Sequence, residues 1–309
     1  MNRKRLYLGF ILIFVSYASF SSEIGNSHKL LLAALFYLGV VWVCEWITIT
    51  LAGTSLLLEI RKSWHNLFAF IFTAFLGGLL LDGVAKFLGK LWIYPDWSPS
   101  FYALIFIPGF AAYWLVICES YLALKSLIDF CMRGKKRIGT SYKLEKTFFK
   151  LLGIIGIILS SVAIILLYID FKRQSLPFFL PENVYSEAPS FHVAFLEILL
   201  LFLGAWLLLE WIEFYRRKTS LLKDIMHHYY TPLIAIAAGS FITSVFMEAQ
   251  NIPVGLWRYT NWPLSEISVF GVPVLTFIIW PLHYIAFLSL FRALTDKESQ
   301  AIWRADTIK

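Results

Sequence analysis

Shifted by 165 residues, the chain falls on itself. Leu38-Gly39 meets Leu203-Gly204, Glu45-Trp46-Ile47 meets Glu210-Trp211-Ile212, and Thr54-Ser55-Leu56-Leu57 meets Thr219-Ser220-Leu221-Leu222, all without a gap. Leu91-Trp92, Tyr94, Trp97 and Pro108 then meet Leu256-Trp257, Tyr259, Trp262 and Pro273. Apolar sequence supplies Leu against Ile by chance, but not Trp, Tyr, Glu and Pro in register. A repeat of this kind points to two copies of one unit packed together, and it marks the polar residues kept in both.

Composition decides the solvent. Hydrophobic residues make up 59% of the 309 and charged residues 15%, with a mean hydropathy of +0.70. Soluble domains carry about a quarter charged residues, so the expected fold is an all-α, polytopic integral membrane protein. Apolar stretches that approach the ~20 residues of a span lie at 6–20, 30–58, 67–88, 101–127, 151–168, 193–211, 232–246 and 269–290. That makes about eight transmembrane helices. The first, with its basic start (Arg3, Lys4, Arg5) and small residues near Ser19 and Ser21, reads either as an anchor or as a signal peptide.

Each copy then holds three spans, and the span 151–168 joins them. An even number of crossings separates the copies, so the expected architecture is two parallel three-helix repeats about an axis along the membrane normal. The chain divides into an anchor or signal peptide (1–29), a first repeat (30–130), a basic inner loop with linking helix and outer loop (131–190), a second repeat (191–295) and a cytoplasmic tail (296–309). At least nineteen of the 27 Lys and Arg fall on the side of the N-terminus and six on the other. The positive-inside rule therefore predicts a multi-pass protein of the cell membrane with both termini cytoplasmic. The same asymmetry accounts for the formal net charge of +7 as a topology signal with attraction to anionic lipid, without a nucleic-acid partner.

Three cysteines, Cys44, Cys118 and Cys131, have no ligand spacing and read as buried small hydrophobes. His227 and His228 are adjacent, so on a helix they point about 100° apart. No metal or other cofactor is expected. There is no Gly-rich phosphate loop and no Gly-x-Ser-x-Gly.

Carboxyls inside apolar spans carry the functional reading. Glu45 and its repeat partner Glu210 are expected in the inner half of the bilayer, about 9 Å inside the boundary, and Glu119 at similar depth. With no Lys or Arg at mid-span to pair with them, some are expected to be protonated, as proton donors or as helix-pairing residues. Asp82 and Glu248 fall at the outer helix ends, Asp82 with Lys86 four residues on and Glu248 with no such partner. Next come Leu91-Trp92-Ile93-Tyr94-Pro95-Asp96-Trp97 and Leu256-Trp257-Arg258-Tyr259-Thr260-Asn261-Trp262. An interfacial aromatic belt explains such residues, but not a fixed Trp-x-Tyr-x-x-Trp spacing twice. Ring faces stabilise cations, and an acid beside aromatics in a dry site is what protonating an olefin requires. Glu45, Glu210, Glu119, Asp82 and Glu248 are thus the candidate acids, and Trp92, Tyr94, Trp97, Trp257, Tyr259 and Trp262 the candidate substrate-lining residues.

The stretch from Glu248 through Asn251, Gly255 and Trp257 to Tyr259, followed by Phe270-Gly271-Val272-Pro273, resembles the repeat of the membrane-bound carotenoid (lycopene) cyclases. Asp82, Trp92, Tyr94 and Pro108 are similar elements in the first copy, with one extra residue between acid and Trp. The resemblance covers about residues 30–130 and 195–295 and implies tandem three-helix units acting on an isoprenoid. Where that family carries Glu-Glu after the proline, this chain has Phe110-Ala111 and Leu275-Thr276. Cyclase catalysis is therefore not carried over residue by residue. Two functions stay open: an intramembrane enzyme on a carotenoid or other polyisoprenoid, or a non-catalytic binder or transporter of a lipid or small hydrophobic molecule. An assembly subunit is a third.

Overall fold

A computed structural model describes residues 3–19, 25–95, 97–132, 142–175, 192–216 and 220–295. Asp96 of the first aromatic motif, Thr219 of the repeat, the basic cluster 133–137, most of the outer loop and the tail 296–309 lie outside them.

The described chain is almost entirely helical. In order come α1 (Arg3–Ser19), α2 (Asn26–Ala52), α3 (Leu56–Lys62) and α4 (Trp64–Gly78), which runs on as a π-helix (Leu79–Leu88). Then follow α5 (Pro99–Cys131), α6 (Tyr142–Arg173), α7 (Phe195–Tyr215), α8 (Leu221–Met226), α9 (Thr231–Val254) and α10 (Val274–Leu294). Seven of these are long and apolar enough to cross a membrane: α2, α4 with its continuation, α5, α6, α7, α9 and α10. With Phe68, Leu104, Ile157, Ile164 and Phe241 among many exposed apolar side chains, a surface of this kind belongs in lipid. The chain is an all-α-class, multi-pass membrane protein. At 17 residues, α1 falls short of the other spans, but it is packed in: Ser16 donates to the Leu32 carbonyl and Tyr17 to that of Phe246.

Several helix limits differ from the hydropathy reading, each for a local reason. The stretch 30–58 is not one span. Gly53 takes φ 79° and closes α2 by donating its N–H to the Ile49 carbonyl, a left-handed stop that glycine adopts without strain. Ser55 then caps α3, accepting from Leu58 N. Likewise, α7 is followed by Ser220, which caps α8 by accepting from Lys223 N. The span expected over 269–290 begins at Val274, because Ser268–Val269 and Val272–Pro273 form a small hairpin. By contrast, α9 runs past the expected 246 to Val254, where Gly255 (φ 63°) ends it.

Close crossings tie the helices in pairs. A Cβ on Gly39 of α2 would lie 2.8 Å from the Gly9 carbonyl of α1. On Gly204 of α7 it would lie 3.0 Å from the Gly156 carbonyl of α6. In lipid, helix association rests on such backbone approach between small residues. Gly204 is also the residue 165 after Gly39.

At one end of the bundle, Trp92–Ile93 and Arg258–Tyr259 pair as a two-residue antiparallel ribbon, with Trp92 opposite Tyr259 and Ile93 opposite Arg258. Ile93 and Arg258 are themselves 165 residues apart. This ribbon end and the opposite end, where α3 and α8 lie, carry different polar chemistry.

Candidate functional site

A cavity of about 430 Å³ lies below the ribbon, lined from both halves of the chain by α2, the π-helix, α5, α7, α9, α10 and the two aromatic motifs. Its size falls within the ~300–1,000 Å³ of pockets that take a drug-sized ligand. All six sequence-selected aromatics, Trp92, Tyr94, Trp97, Trp257, Tyr259 and Trp262, line it, and so do Asp82 and Glu248.

Glu248 is not partnerless, as its immediate sequence implies. Its Oε1 accepts from the Tyr259 hydroxyl and, at 3.2 Å, from Trp257 Nε1. Its Oε2 accepts from Asn251 Nδ2 at 3.2 Å. Asn251 also clamps the Trp257 backbone, accepting from its N–H at 2.9 Å and donating to its carbonyl at 3.1 Å. The turn at Gly255 folds the Trp-x-Tyr segment back over the acid on its own helix.

Asp82 is held differently. Its Oδ2 accepts from Tyr102 at 2.7 Å and Tyr94 at 3.4 Å, and Trp92 Nε1 donates to the Tyr94 hydroxyl. Its Oδ1 has no hydrogen-bond partner among the described residues. Asp82 precedes Trp92 by ten residues and Glu248 precedes Trp257 by nine. The π-helix absorbs the difference: its i→i+5 bonds, such as Gly89 N to Val84 O, take up an added residue. The expected i,i+4 ion pair of Asp82 with Lys86 does not close to ion-pair distance. The Lys86 ammonium lies 3.8 Å from the Phe87 ring centroid and 5.0 Å from those of Tyr94 and Tyr102, close enough to be attracted by Asp82.

Outside the spans, burial holds the Tyr94 and Tyr259 hydroxyls well above their ordinary pKa, reinforced by Asp82 and Glu248 respectively. Both therefore remain protonated and act as donors to the two acids. Tyr94 and Trp97 stack with centroids 4.4 Å apart, whereas Tyr259 and Trp262 meet edge to face at 6.0 Å.

The other three candidate acids sit elsewhere. Glu45, Glu119 and Glu210 are buried at the opposite end, and none lines the cavity. Glu119 Oε1 accepts from Leu57 N at 3.3 Å and Glu210 Oε2 from Leu222 N at 3.2 Å. Each thus serves the first turn of a short helix, where orphan N–H groups and the helix dipole favour a carboxylate. Trp206 Nε1 donates to the remaining oxygen of Glu210 at 3.0 Å. Glu45 receives Ser55 Oγ and Arg5 Nη1, both at 3.4 Å. The expectation that no cation reaches these acids fails here. Arg5 of α1 reaches Glu45, and Arg292, buried near the end of α10, pairs with Glu213 at 3.0 Å and feels the charge of Glu210.

The sequence reading missed Tyr102, Asn251, Tyr113 and His283. The last two line the cavity from α5 and α10, with the Tyr113 hydroxyl 2.6 Å from His283 Nε2. His227, by contrast, meets Glu145 at 2.8 Å, away from the cavity.

No family model, no curated protein and no solved structure matches this chain. The cavity itself has a defined chemistry. It offers an apolar aromatic slot, two carboxyls from different halves, and one carboxyl oxygen with no partner among the described residues.

Proposed function

We propose that this chain is an intramembrane enzyme that protonates a double bond of a carotenoid or related polyisoprenoid held in the aromatic cavity. The observation that carries the reading is the pair of carboxyls, Asp82 and Glu248, facing one apolar space with their roles already divided by their neighbours. Asp82 has an oxygen with no partner among the described residues and is the proton donor. Glu248 has both oxygens engaged by donors and is the fixed negative charge. The olefin takes the proton from Asp82 Oδ1, leaving a carboxylate and a tertiary carbocation. Glu248 and the faces of Trp92, Tyr94, Trp97, Trp257, Tyr259 and Trp262 shelter that cation, as preorganised charge and ring quadrupoles do in a water-poor site. The cavity accommodates one end of a long isoprenoid, and the remainder lies in lipid.

The carotenoid-cyclase resemblance supports the same chemistry, and the absent Glu-Glu pair makes Asp82 and Glu248 its remaining carriers. As architecture we infer two parallel repeats in the cell membrane with both termini cytoplasmic. The unit is better drawn with four helices than three: α6 crosses α7 at Gly156–Gly204 as α1 crosses α2 at Gly9–Gly39. The helix taken as a linker then belongs to the second copy. The ribbon, with Ile93 opposite Arg258, sits on the pseudo-two-fold axis.

Extraction of isoprenoids from cells carrying the wild-type chain or Asp82→Asn tests the reading. A product that requires Asp82 supports it. Unchanged isoprenoids, with lycopene nonetheless bound by the purified protein, favour a carrier instead.

A further inference from the structure

An acid that gives up its proton leaves a cation that must lose one. We propose that Tyr113 and His283 form the base of this cavity; the proposal rests on the olefin-protonation reading above. The two residues come from opposite halves, Tyr113 on α5 and His283 on α10, and both line the space that Asp82 lines. Their polar atoms are 2.6 Å apart, and the rings lie near-parallel with centroids at 6.0 Å. Tyr284 and Phe287 pack on the imidazole at 5.0 and 6.1 Å, fixing the ring. Tyr37, Tyr94, Tyr259, Asp82 and Glu248 line the same space, so base and acids share one pocket.

A third polar group marks the same wall. Thr276, two helical turns before His283 on α10, lines the cavity, is 3% exposed and has no partner for its Oγ1 among the described residues. A histidine, a tyrosine and a hydroxyl unpartnered among the described residues thus stand in a lining otherwise mostly hydrocarbon and aromatic.

The step balances within the chain. A C–H bond beside the cationic carbon breaks, its electron pair becomes the new double bond, and its proton goes to the Tyr113 oxygen. The Tyr113 hydroxyl proton passes in the same movement to His283 Nε2, giving an imidazolium. Before the next turnover the imidazolium loses its proton and the Asp82 carboxylate regains one, so the proton count of the chain is unchanged. The product is an isomer of the substrate, and no oxidant, reductant or water is consumed.

Membranes carrying the full chain, given lycopene in D₂O, test this through two readouts. Protonation that reverts puts deuterium into recovered lycopene, whereas product formation also needs the base. Tyr113→Phe and His283→Gln should each cut product formation by roughly 100-fold or more, while deuterium still enters the recovered polyene. Asp82→Asn should lose both. Unchanged product in Tyr113→Phe overturns the base. Loss of deuterium entry along with product, in variants that remain folded, also overturns it. A product heavier by one water overturns the step as written. A wild-type chain showing neither exchange nor product overturns the acid reading itself, a result distinguishable because no variant is involved. If His283→Gln does not accumulate, the isosteric Tyr113→Phe variant decides alone.

Discussion

The two ends of this bundle bury the same functional group in opposite circumstances. At the α3/α8 end, Glu119 and Glu210 each accept from a backbone N–H of a short helix, and Glu213 is locked to Arg292. Their carboxyl oxygens complete structures that would otherwise lack an acceptor. At the ribbon end, Asp82 and Glu248 accept from Tyr, Trp and Asn side chains and face an apolar cavity. A buried carboxyl thus says little until its donors are known. Donors from the backbone at a helix start indicate architecture, and donors from side chains around an open space indicate a site.

The largest expected effect separates the two ends directly. Asp82→Asn should lower product formation by roughly 10²–10⁴-fold, the range for loss of a positioned acid, with the thermal transition of the detergent-solubilised protein nearly unchanged. Glu210→Gln keeps an oxygen to accept from Leu222 N and should leave turnover per folded molecule intact. If Glu210→Gln abolished turnover and Asp82→Asn did not, the assignment of the two ends would be reversed. Glu248→Gln should fall between them, near 10²-fold, because it removes a charge and not the transferred proton.

On the stability side the ranking inverts. Glu213→Gln leaves the Arg292 guanidinium, 1% exposed, without its carboxylate. Breaking one side of a buried pair costs about 3–5 kcal/mol, so the melting temperature should drop sharply while the lycopene affinity of the surviving protein holds. An unchanged melting temperature would show that the pair adds nothing to holding α10 against α7.

These contrasts were only partly legible in the sequence. The repeat register picked out Glu45, Glu210 and the Trp-x-Tyr-x-x-Trp motifs, and hydropathy found the spans. Partners were the hidden part. Glu248 reads as alone because two of its three donors, Trp257 and Tyr259, lie nine and eleven residues on, beyond the end of its helix, and return only through the turn at Gly255. Tyr102 and Tyr113 are inconspicuous in an α5 already rich in Phe and Tyr, and their bonds span 20 and 170 residues. Arg292 reads as a boundary cation because it stands near the end of a hydrophobic run, whereas packing buries it. One clue was visible: the extra residue between Asp82 and Trp92 is the sequence signature of π-helical winding.

A smaller effect tests whether α6 belongs to the repeat. At Gly204 a Cβ would approach Ser160 N to 2.6 Å and Ser160 Oγ to 2.5 Å, and at Gly39 it would approach the Gly9 carbonyl to 2.8 Å. Gly39→Ala and Gly204→Ala both push one backbone off another, and overpacking of this kind costs about 1–3 kcal/mol. Similar losses at the two sites, read as melting temperatures, fit a four-helix unit used twice. A loss at Gly39 alone would return α6 to the role of a linker.

The smallest expected effect lies at the two serine caps, and its value is as a symmetry test. Ser55 and Ser220 occupy equivalent positions and do the same work, accepting at 3.2 Å from the N–H three residues on. Removing such a cap costs about 1 kcal/mol, so Ser55→Ala and Ser220→Ala should each lower stability by that amount. Their surroundings differ, however. Ser55 Oγ also donates to Glu45, while the acid equivalent to Glu45, Glu210, takes its donors from Trp206 and Leu222 N instead. Ser55→Ala therefore strips a donor from a buried carboxyl as well as a cap, and should cost more than Ser220→Ala. Equal losses would mean that Arg5 alone satisfies Glu45, and that the first copy keeps its carboxyl for α1, not for α3.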